Sequence, residues 1–314
     1  METEKWTDTT EALALLARQR KVWPMAKAGY EALDNVKVKR LHIDGLEFKV
    51  QYNPARILSS GAKTDAQSLR ERPCFLCPSH LPPEQEALPM GERYLLLCNP
   101  YPIFPEHFTI ASRRHMEQQI YTSFSDFLEI AQHLSGFTLF YNGPQSGASA
   151  PDHLHFQAVT PSYMPIDEEA GLHKGTPLLK EEAGAIYRLS GYLRNGFILE
   201  SGTAERAASL FKHLYKVLPL AGDDTEPRMN IFCRYGEGRW QVIIVPRKVH
   251  RPRQYYAEGD EQILTAPGAA DIGGVFITAR EQDYEKITPE LLRDIYGQIA
   301  FNDAGINRLA GGEC

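Results

Sequence analysis

Hydrophobic and polar residues alternate with the period of a β-strand in several stretches of the first half of the chain. Residues 36–52 form two such runs around Asp44-Gly45, a turn pair typical of a two-residue β-hairpin. Short apolar runs predict four more strands, at Tyr94–Cys98, His107–Ala111, Phe137–Tyr141 and Leu154–Thr160. Helix-forming runs flank these strands at residues 122–135 and at residues 8–32, where Pro24 is expected to end or kink the helix.

The second half of the chain repeats this order of elements more faintly. Its pattern predicts a helix at 203–218, a hairpin of Met229–Tyr235 and Trp240–Arg247, a strand at Gly274–Thr278 and a helix at 288–300. We therefore predict an α+β fold of tandem halves, with antiparallel sheets flanked by helices. The expected divisions are an N-terminal helical segment (1–35), a first half that carries the chemistry (36–180) and a degenerate second half (181–314).

Composition and charge narrow the classes of function. The chain has 314 residues and a formal net charge of −6, which argues against a general nucleic-acid binder. It has no N-terminal signal region and no apolar run long enough to span a bilayer. Of its five cysteines only Cys74 and Cys77 lie close together, so no disulfide framework is predicted. We expect a cytoplasmic protein with reduced thiols and with neither nucleic-acid nor membrane partners.

The segment 141–157 is the most informative part of the sequence, because a loop of small residues runs directly into an alternating His-x-His-x-Gln run. Alternate side chains of a strand point to the same face of its sheet. An extended segment therefore places His153, His155 and Gln157 together on one side. The residues between them face the core: Leu154, Phe156 and Ala158.

This arrangement suits chemistry on a phosphate group. An uncharged imidazole attacks phosphorus when its second nitrogen is held by an acceptor, and we predict His155 for that role. We predict that Gln157 donates a neutral hydrogen bond to a phosphate oxygen as charge builds there. Backbone N–H groups of the loop would bind the other oxygens, at Gly143, Ser146, Gly147 and Ser149. Two histidines on a strand more often have only a structural role, and a Gly/Ser loop is usually just a turn. A functional role is favoured here because the loop leads directly into the histidine strand.

This segment resembles the histidine-triad superfamily, in its galactose-1-phosphate uridylyltransferase-like branch. Hydrolases of the superfamily carry His-x-His-x-His, whereas this branch carries His-x-His-x-Gln. The wording His-Leu-His-Phe-Gln is shared with GDP-L-galactose phosphorylases, and residues 142–157 also look like diadenosine tetraphosphate phosphorylases. The resemblance implies histidine-triad-like halves, a covalently nucleotidylated His155, and nucleotide contacts by Asn142 and by the loop that bears Arg56. Such enzymes are often dimers, so a homodimer is one expectation.

The glutamine at position 157 favours transfer over hydrolysis. A third histidine can protonate a poor leaving group, whereas glutamine cannot, so the leaving group must be good on its own. We expect a nucleotidyltransferase or phosphorylase that acts on an NDP-sugar, with phosphate or a sugar phosphate as acceptor. Two alternatives stay open: a dinucleoside polyphosphate phosphorylase and a non-catalytic nucleotide-binding protein.

Cys74 and Cys77 supply half of a tetrahedral zinc site. The resemblance implies that His115 and His153 complete it, with a structural role for the zinc. His107 and His80 are rival third ligands.

A cluster of basic residues follows the strand that ends at Val245. Its members can form a solvated loop or can contact the far end of the nucleotide or the acceptor phosphate: Arg247, Lys248, His250, Arg251 and Arg253.

Overall fold

The computed structural model describes residues 4–57 and 66–311. The strands found there form two sheets, and the first sheet contains β1 (Lys37–Ile43), β2 (Leu46–Tyr52) and β13 (Val275–Thr278). The second sheet has ten strands: β3 (Ala87–Met90), β4 (Tyr94–Cys98), β5 (His107–Ser112), β6 (Thr138–Asn142), β7 (His155–Val159), β8 (Lys174–Glu181), β9 (Gly184–Leu189), β10 (Gly196–Ser201), β11 (Met229–Gly236) and β12 (Arg239–Pro246).

Helices precede, connect and follow the strands along the chain. They are α1 (Thr9–Val22), α2 (Pro24–Ala32), α3 (Ala66–Glu71), α4 (Phe124–His133), α5 (Ile166–Leu172), α6 (Ala204–Val217), α7 (Arg253–Tyr256), α8 (Ala269–Ile272), α9 (Glu281–Lys286), α10 (Pro289–Ile299) and α11 (Asp303–Gly311). No described helix combines the length and the apolar character needed to cross a membrane.

The ten-stranded sheet contains the same five-strand pattern twice. Its order is β3-β4-β5-β7-β6-β11-β12-β10-β9-β8, so each half places its third strand beside its fifth and its fourth strand at the centre. The halves meet where β6 pairs antiparallel with β11, and one long helix, α4 or α6, lies between the third and fourth strands of each half. The predicted α+β fold of tandem halves is confirmed. The division at 180/181 stays a proposal, and β8 spans that point.

The register of the central strands shows how the second half differs from the first. Phe140 pairs with both Gln157 and Phe232, and Phe232 pairs with Ile243. Ile243 therefore occupies the position that Gln157 has in the first half, and Gln241 the position of His155. A tight turn at Glu237-Gly238 joins β11 to β12, where the first half has a loop of twelve residues between β6 and β7. The second half has thus kept the sheet without the residues that suggest chemistry.

The two faces of the large sheet are covered differently. Helices α1, α4 and α6 pack on one face, where Leu154, Phe156 and Ala158 are fully buried, as predicted. On the other face the three-stranded sheet, α8 and α10 cover the centre and the second half, including Phe232 and Ile243. This second layer leaves a cavity over β4, β5, β7 and β6 of the first half.

The first helical run is divided at Pro24, as expected, because Trp23 is extended and Pro24 begins α2. Other details differ from the sequence prediction. β13 pairs with β2 in parallel, so the small sheet is mixed rather than antiparallel. The strands β3, β8, β9 and β10 were not predicted. β8 has a mostly exposed, polar sequence with a proline, as is common at the edge of a sheet.

Candidate functional site

The cavity has a volume of about 850 Å³ and lies on the first half of the large sheet. Its floor is a row of cross-strand neighbours, because Leu97 pairs with Thr109, Thr109 with Gln157, and Gln157 with Phe140. His155 lies beside this row, two residues before Gln157. The walls come from the Gly/Ser loop after β6, from the segment before and after Cys74, and from residues 264–271 of the second half.

His155 is held as a neutral imidazole with one free nitrogen. Its side chain is 3% exposed, and its Nδ1 lies 2.8 Å from the carbonyl oxygen of His153, so Nδ1–H donates and Nε2 keeps its lone pair. Burial lowers the pKa of His155 to about 4. Nε2 makes no hydrogen bond to any described residue. These are the properties of an imidazole nucleophile.

The backbone around His155 is fixed by Gln118, a buried residue that sequence reasoning missed. Gln118 Oε1 accepts from the N–H of His155 at 2.8 Å. Its Nε2 donates to the carbonyl oxygens of Asn142 and His155 at 2.9 and 3.0 Å. One amide therefore ties together the strand that carries His155 and the start of the Gly/Ser loop. Nothing in the sequence around Gln118 marks it for this role.

Gln157 is oriented by His107. The N–H of Ile103 donates to His107 Nδ1 at 3.1 Å, which leaves the proton of the neutral ring on Nε2. This Nε2–H donates to Gln157 Oε1 at 2.7 Å, and burial lowers the pKa of His107 to about 3. The amide oxygen of Gln157 is thus occupied, and its NH₂ group is left as a donor beside His155. His107 therefore acts from beneath the cavity floor through Gln157, and it is not a member of the cysteine cluster.

The Gly/Ser loop presents fewer N–H groups to the cavity than its sequence predicts. The N–H of Gly143 donates to Met229 O, and the N–H of Ser146 donates to Gly143 O. Neither residue lines the cavity, so their backbone N–H groups are turn donors rather than phosphate ligands. Gly147 and Ser149 do line it, and in the described part of the chain their N–H groups have no partner.

Asn142 connects the loop to the second half. Its Oδ1 accepts from Asn230 Nδ2 at 2.9 Å and from the N–H of Ala269 at 2.6 Å. Asn230 Oδ1 in turn accepts from Arg247 Nη1 at 3.0 Å. Asn230 and this use of Arg247 were not predicted, because they depend on the pairing of β6 with β11.

Arg56 also lines the cavity, together with Tyr101. Its Nη1 donates to Tyr101 O at 2.7 Å, which fixes the guanidinium against the proline-rich turn between β4 and β5. Burial lowers the pKa of Arg56 to about 10, so the side chain stays cationic near neutral pH.

Four potential metal ligands lie together below the loop: Cys74, Cys77, His115 and His153. Their ligand atoms all lie within 4.8 Å of one another. His153 Nδ1 is 3.2 Å from Cys74 Sγ and 3.6 Å from Cys77 Sγ, and Cys77 Sγ is 3.3 Å from the Nδ1 of His115. His80 lies outside the cluster, with its Nδ1 at the carbonyl oxygen of Cys74. This group could hold a metal ion.

The basic cluster after β12 divides into three parts. Arg247 is buried and binds the carbonyls of Pro267, Val249 and His250. Lys248 and Arg253 bind Gly297 O and Asp294 and do not line the cavity. His250 and Arg251 do line it.

Comparisons with known proteins agree with this architecture. Residues 15–160 match the profile of a domain of unknown function, DUF4922, and no curated protein sequence matches the chain. The structure is similar to yeast Ap4A phosphorylase Apa2, with a TM-score of 0.56 and 17% sequence identity over 91% of this chain and 96% of that chain. The complex of that enzyme with AMP has a TM-score of 0.55 and 18% identity, over 93% of this chain and 98% of that chain. The complex with Ap4A has a TM-score of 0.50 and 16% identity, over 90% of this chain and 97% of that chain. The chain therefore shares the fold of this phosphorylase.

The close packing of the Gly/Ser loop against Pro267 and Gly268 depends on Gly147. Its φ is +94°, and a Cβ there would lie 2.4 Å from the Cα of Gly268. We expect Gly147→Ala to lower the free energy of unfolding by about 1–3 kcal/mol through backbone strain and this contact. Urea unfolding would measure it. Gly236→Ala is the control, since a Cβ at Gly236 meets nothing within 4 Å. Equal stabilities of the two variants would contradict the packing described for the loop.

Proposed function

We propose that the protein is a nucleotidyltransferase that works through a covalent nucleotidyl-His155 intermediate, with Gln157 as the second catalytic residue. The observation that carries the proposal is the bonding of His155, which lines the cavity and whose Nδ1–H donates to a backbone carbonyl, so that Nε2 keeps its lone pair. A non-catalytic nucleotide-binding protein would have no need of a buried imidazole held in one tautomer.

In the first step, Nε2 of His155 attacks the α-phosphorus of a nucleotide. The P–O bond to the leaving group breaks, its electron pair stays on the departing phosphate oxygen, and a P–N bond forms. The carbonyl of His153 stabilises the positive charge that develops on the ring, because it accepts from Nδ1–H at 2.8 Å. No proton is needed for a phosphate leaving group, which agrees with glutamine at position 157.

Charge on the non-bridging oxygens is stabilised by neutral donors. The NH₂ group of Gln157 and the N–H groups of Gly147 and Ser149 are fixed before the substrate binds. Such preorganised donors need no reorganisation at the moment of reaction. We assign nucleotide contacts to Asn142 and Arg56. In the second step an acceptor oxygen attacks the same phosphorus, the P–N bond breaks, and His155 regains its lone pair.

The donor that we favour is an NDP-sugar, with phosphate or a sugar phosphate as acceptor, because of the His-Leu-His-Phe-Gln sequence. A dinucleoside polyphosphate is the second candidate, and the fold similarity to an Ap4A phosphorylase supports it.

The proposal predicts a trapped adduct. The protein is incubated with UDP-, GDP- and ADP-sugars and with dinucleoside polyphosphates, each without acceptor. We expect one donor class to add a single nucleotidyl group to the wild type and none to His155→Gly, as read by intact mass and peptide mapping. His80→Gln is the control, since His80 lines the cavity without touching His155 or Gln157. Turnover with no adduct in any panel member would refute the covalent mechanism.

We further propose that the cysteine–histidine cluster holds structural zinc. In a tetrahedral site with Zn–S of about 2.3 Å and Zn–N of about 2.0–2.1 Å, neighbouring ligand atoms lie roughly 3.3–3.8 Å apart. The sulfur–nitrogen distances of 3.2, 3.3 and 3.6 Å are close to that range. His153 Nε2 also donates to Ser112 O at 2.7 Å, which leaves Nδ1 for the metal and is typical of zinc-bound histidine.

Metal analysis of the purified protein tests this assignment. We expect about one zinc per chain in the wild type, a large loss in Cys77→Ser, and full retention in His80→Gln, because His80 is outside the cluster. The variant of Cys77 should also unfold at a lower temperature, since the site ties the segment around Cys74 to the strand that bears His155. Zinc retained in Cys77→Ser but lost in His80→Gln would reverse the choice of ligands.

The role of His107 can be separated from that of a packing residue by a double-mutant cycle. We expect His107→Phe and Gln157→Ala each to slow formation of the adduct in a single turnover by roughly 10- to 100-fold, because each removes the oriented NH₂ group. The double variant should be about as slow as the slower single variant, because both changes remove the same interaction. Multiplicative effects would show that His107 does not act through Gln157.

A further inference from the structure

Arg251 lines the same cavity as His155, and its guanidinium makes no hydrogen bond to any described residue. Its Nε is buried without a partner. The guanidinium carbon lies 4.1 Å from the centre of the Tyr255 ring, so the ring packs against the guanidinium. An arginine held in this way keeps its N–H groups available for an anion.

The backbone before Arg251 is fixed to the catalytic half by buried hydrogen bonds. Arg247, which is 2% exposed, donates from Nη2 to the carbonyl of His250 at 2.8 Å and from Nη1 to Asn230 Oδ1 at 3.0 Å. Asn230 Nδ2 then donates to Asn142 Oδ1 at 2.9 Å. A continuous chain of hydrogen bonds therefore connects the base of Arg251 to Asn142, which starts the Gly/Ser loop.

The electrostatics around Arg251 favour an anion. Burial first, and then the charges of Arg251, Arg247 and Arg228, lower the pKa of His250 to about 3, so His250 is neutral and adds no charge of its own. Carboxyl groups of Glu71 and Asp271 also line the cavity. The two carboxylate oxygens of Asp271 accept from the N–H groups of Gly268 and Ile277. In the described chain no ion pair joins Arg251 to Glu71 or Asp271.

We propose that Arg251 binds the phosphate group of the acceptor and of the leaving group, in one subsite that the second half contributes to the cavity. This assignment rests on the proposed nucleotidyl transfer. In an in-line displacement the leaving oxygen departs on the side of phosphorus opposite to Nε2 of His155. The acceptor oxygen must attack from that same side to break the P–N bond. The two phosphate groups therefore occupy the same subsite in turn, and one cation serves both.

The assignment also explains why Arg251 differs from the other cationic residues after β12 in having no hydrogen-bond partner among the described residues. The guanidinium of Arg247 makes four hydrogen bonds within the fold. Lys248 donates to Gly297 O, and Arg253 pairs with Asp294. Arg251 keeps a fork of donors for which residues 4–57 and 66–311 supply no acceptor. A phosphate dianion is the ligand that matches such a fork in charge and geometry.

Binding of orthophosphate to the resting full-length protein tests the subsite directly. Isothermal titration measures its dissociation constant for the wild type, Arg251→Gln and Arg251→Lys. We expect Arg251→Gln to weaken binding roughly 10- to 100-fold, the scale of a lost charge-assisted hydrogen bond, and Arg251→Lys to lie between. Arg253→Gln is the control, since its exposed guanidinium pairs with Asp294, and it should bind as the wild type does.

Kinetics of the two half-reactions give the second readout. In Arg251→Gln the concentration of orthophosphate that gives half-maximal discharge of the nucleotidyl enzyme should rise by a similar factor. Thermal unfolding excludes a misfolded variant, and Arg251→Lys carries the test if Arg251→Gln does not fold. Orthophosphate binding that is equal in the wild type and both Arg251 variants would overturn the proposal. Arg251-dependent binding without any adduct on His155 would instead keep the anion subsite and refute nucleotidyl transfer.

Discussion

The hydrogen bond from His155 Nδ1–H to the carbonyl of His153 is the interaction on which the rest of the site depends. It fixes the tautomer and leaves the lone pair on Nε2, and in the proposed reaction it would support the positive charge that develops on the ring. The carbonyl is itself held, because the His153 ring is fixed by Ser112 O on one side and by the thiols of Cys74 and Cys77 on the other. The cysteine cluster therefore helps to fix the carbonyl group that holds the His155 ring.

The repeated sheet gives the second half a supporting role. Where the first half has His155 and Gln157, the second has Gln241 and Ile243, and the three-stranded sheet and its helices cover that face. This cover stops short of the first half and forms one wall of the cavity. The loops after β12 then bring residues of the second half to the cavity that contains His155 and Gln157.

The sequence predicted the elements that local patterning determines. The hairpin at Asp44-Gly45, the inward positions Leu154, Phe156 and Ala158, and the tandem order of strands and helices follow from periodicity and turn chemistry. The cysteine–histidine cluster followed only from the family resemblance, because a single C-x-x-C does not identify its other ligands.

The residues that orient His155, Gln157 and Asn142 could not be predicted from local sequence patterns. Gln118 acts on His155 from 37 positions away, His107 on Gln157 from 50, and Asn230 on Asn142 from 88. Each of these contacts is created by strand pairing rather than by a local pattern. The predicted donors at Gly143 and Ser146 failed for a related reason, since a turn uses its own N–H groups before it offers any to a ligand.

The stereochemical course at phosphorus distinguishes a nucleotidyl-His155 intermediate from direct transfer. A donor made chiral at the α-phosphorus by a single sulfur is converted with orthophosphate as acceptor, and the configuration of the product is compared with that of the donor. Attack by His155 followed by attack of the acceptor inverts the centre twice, so we expect net retention. Net inversion would mean a single direct displacement, and it would contradict a nucleotidyl-His155 intermediate.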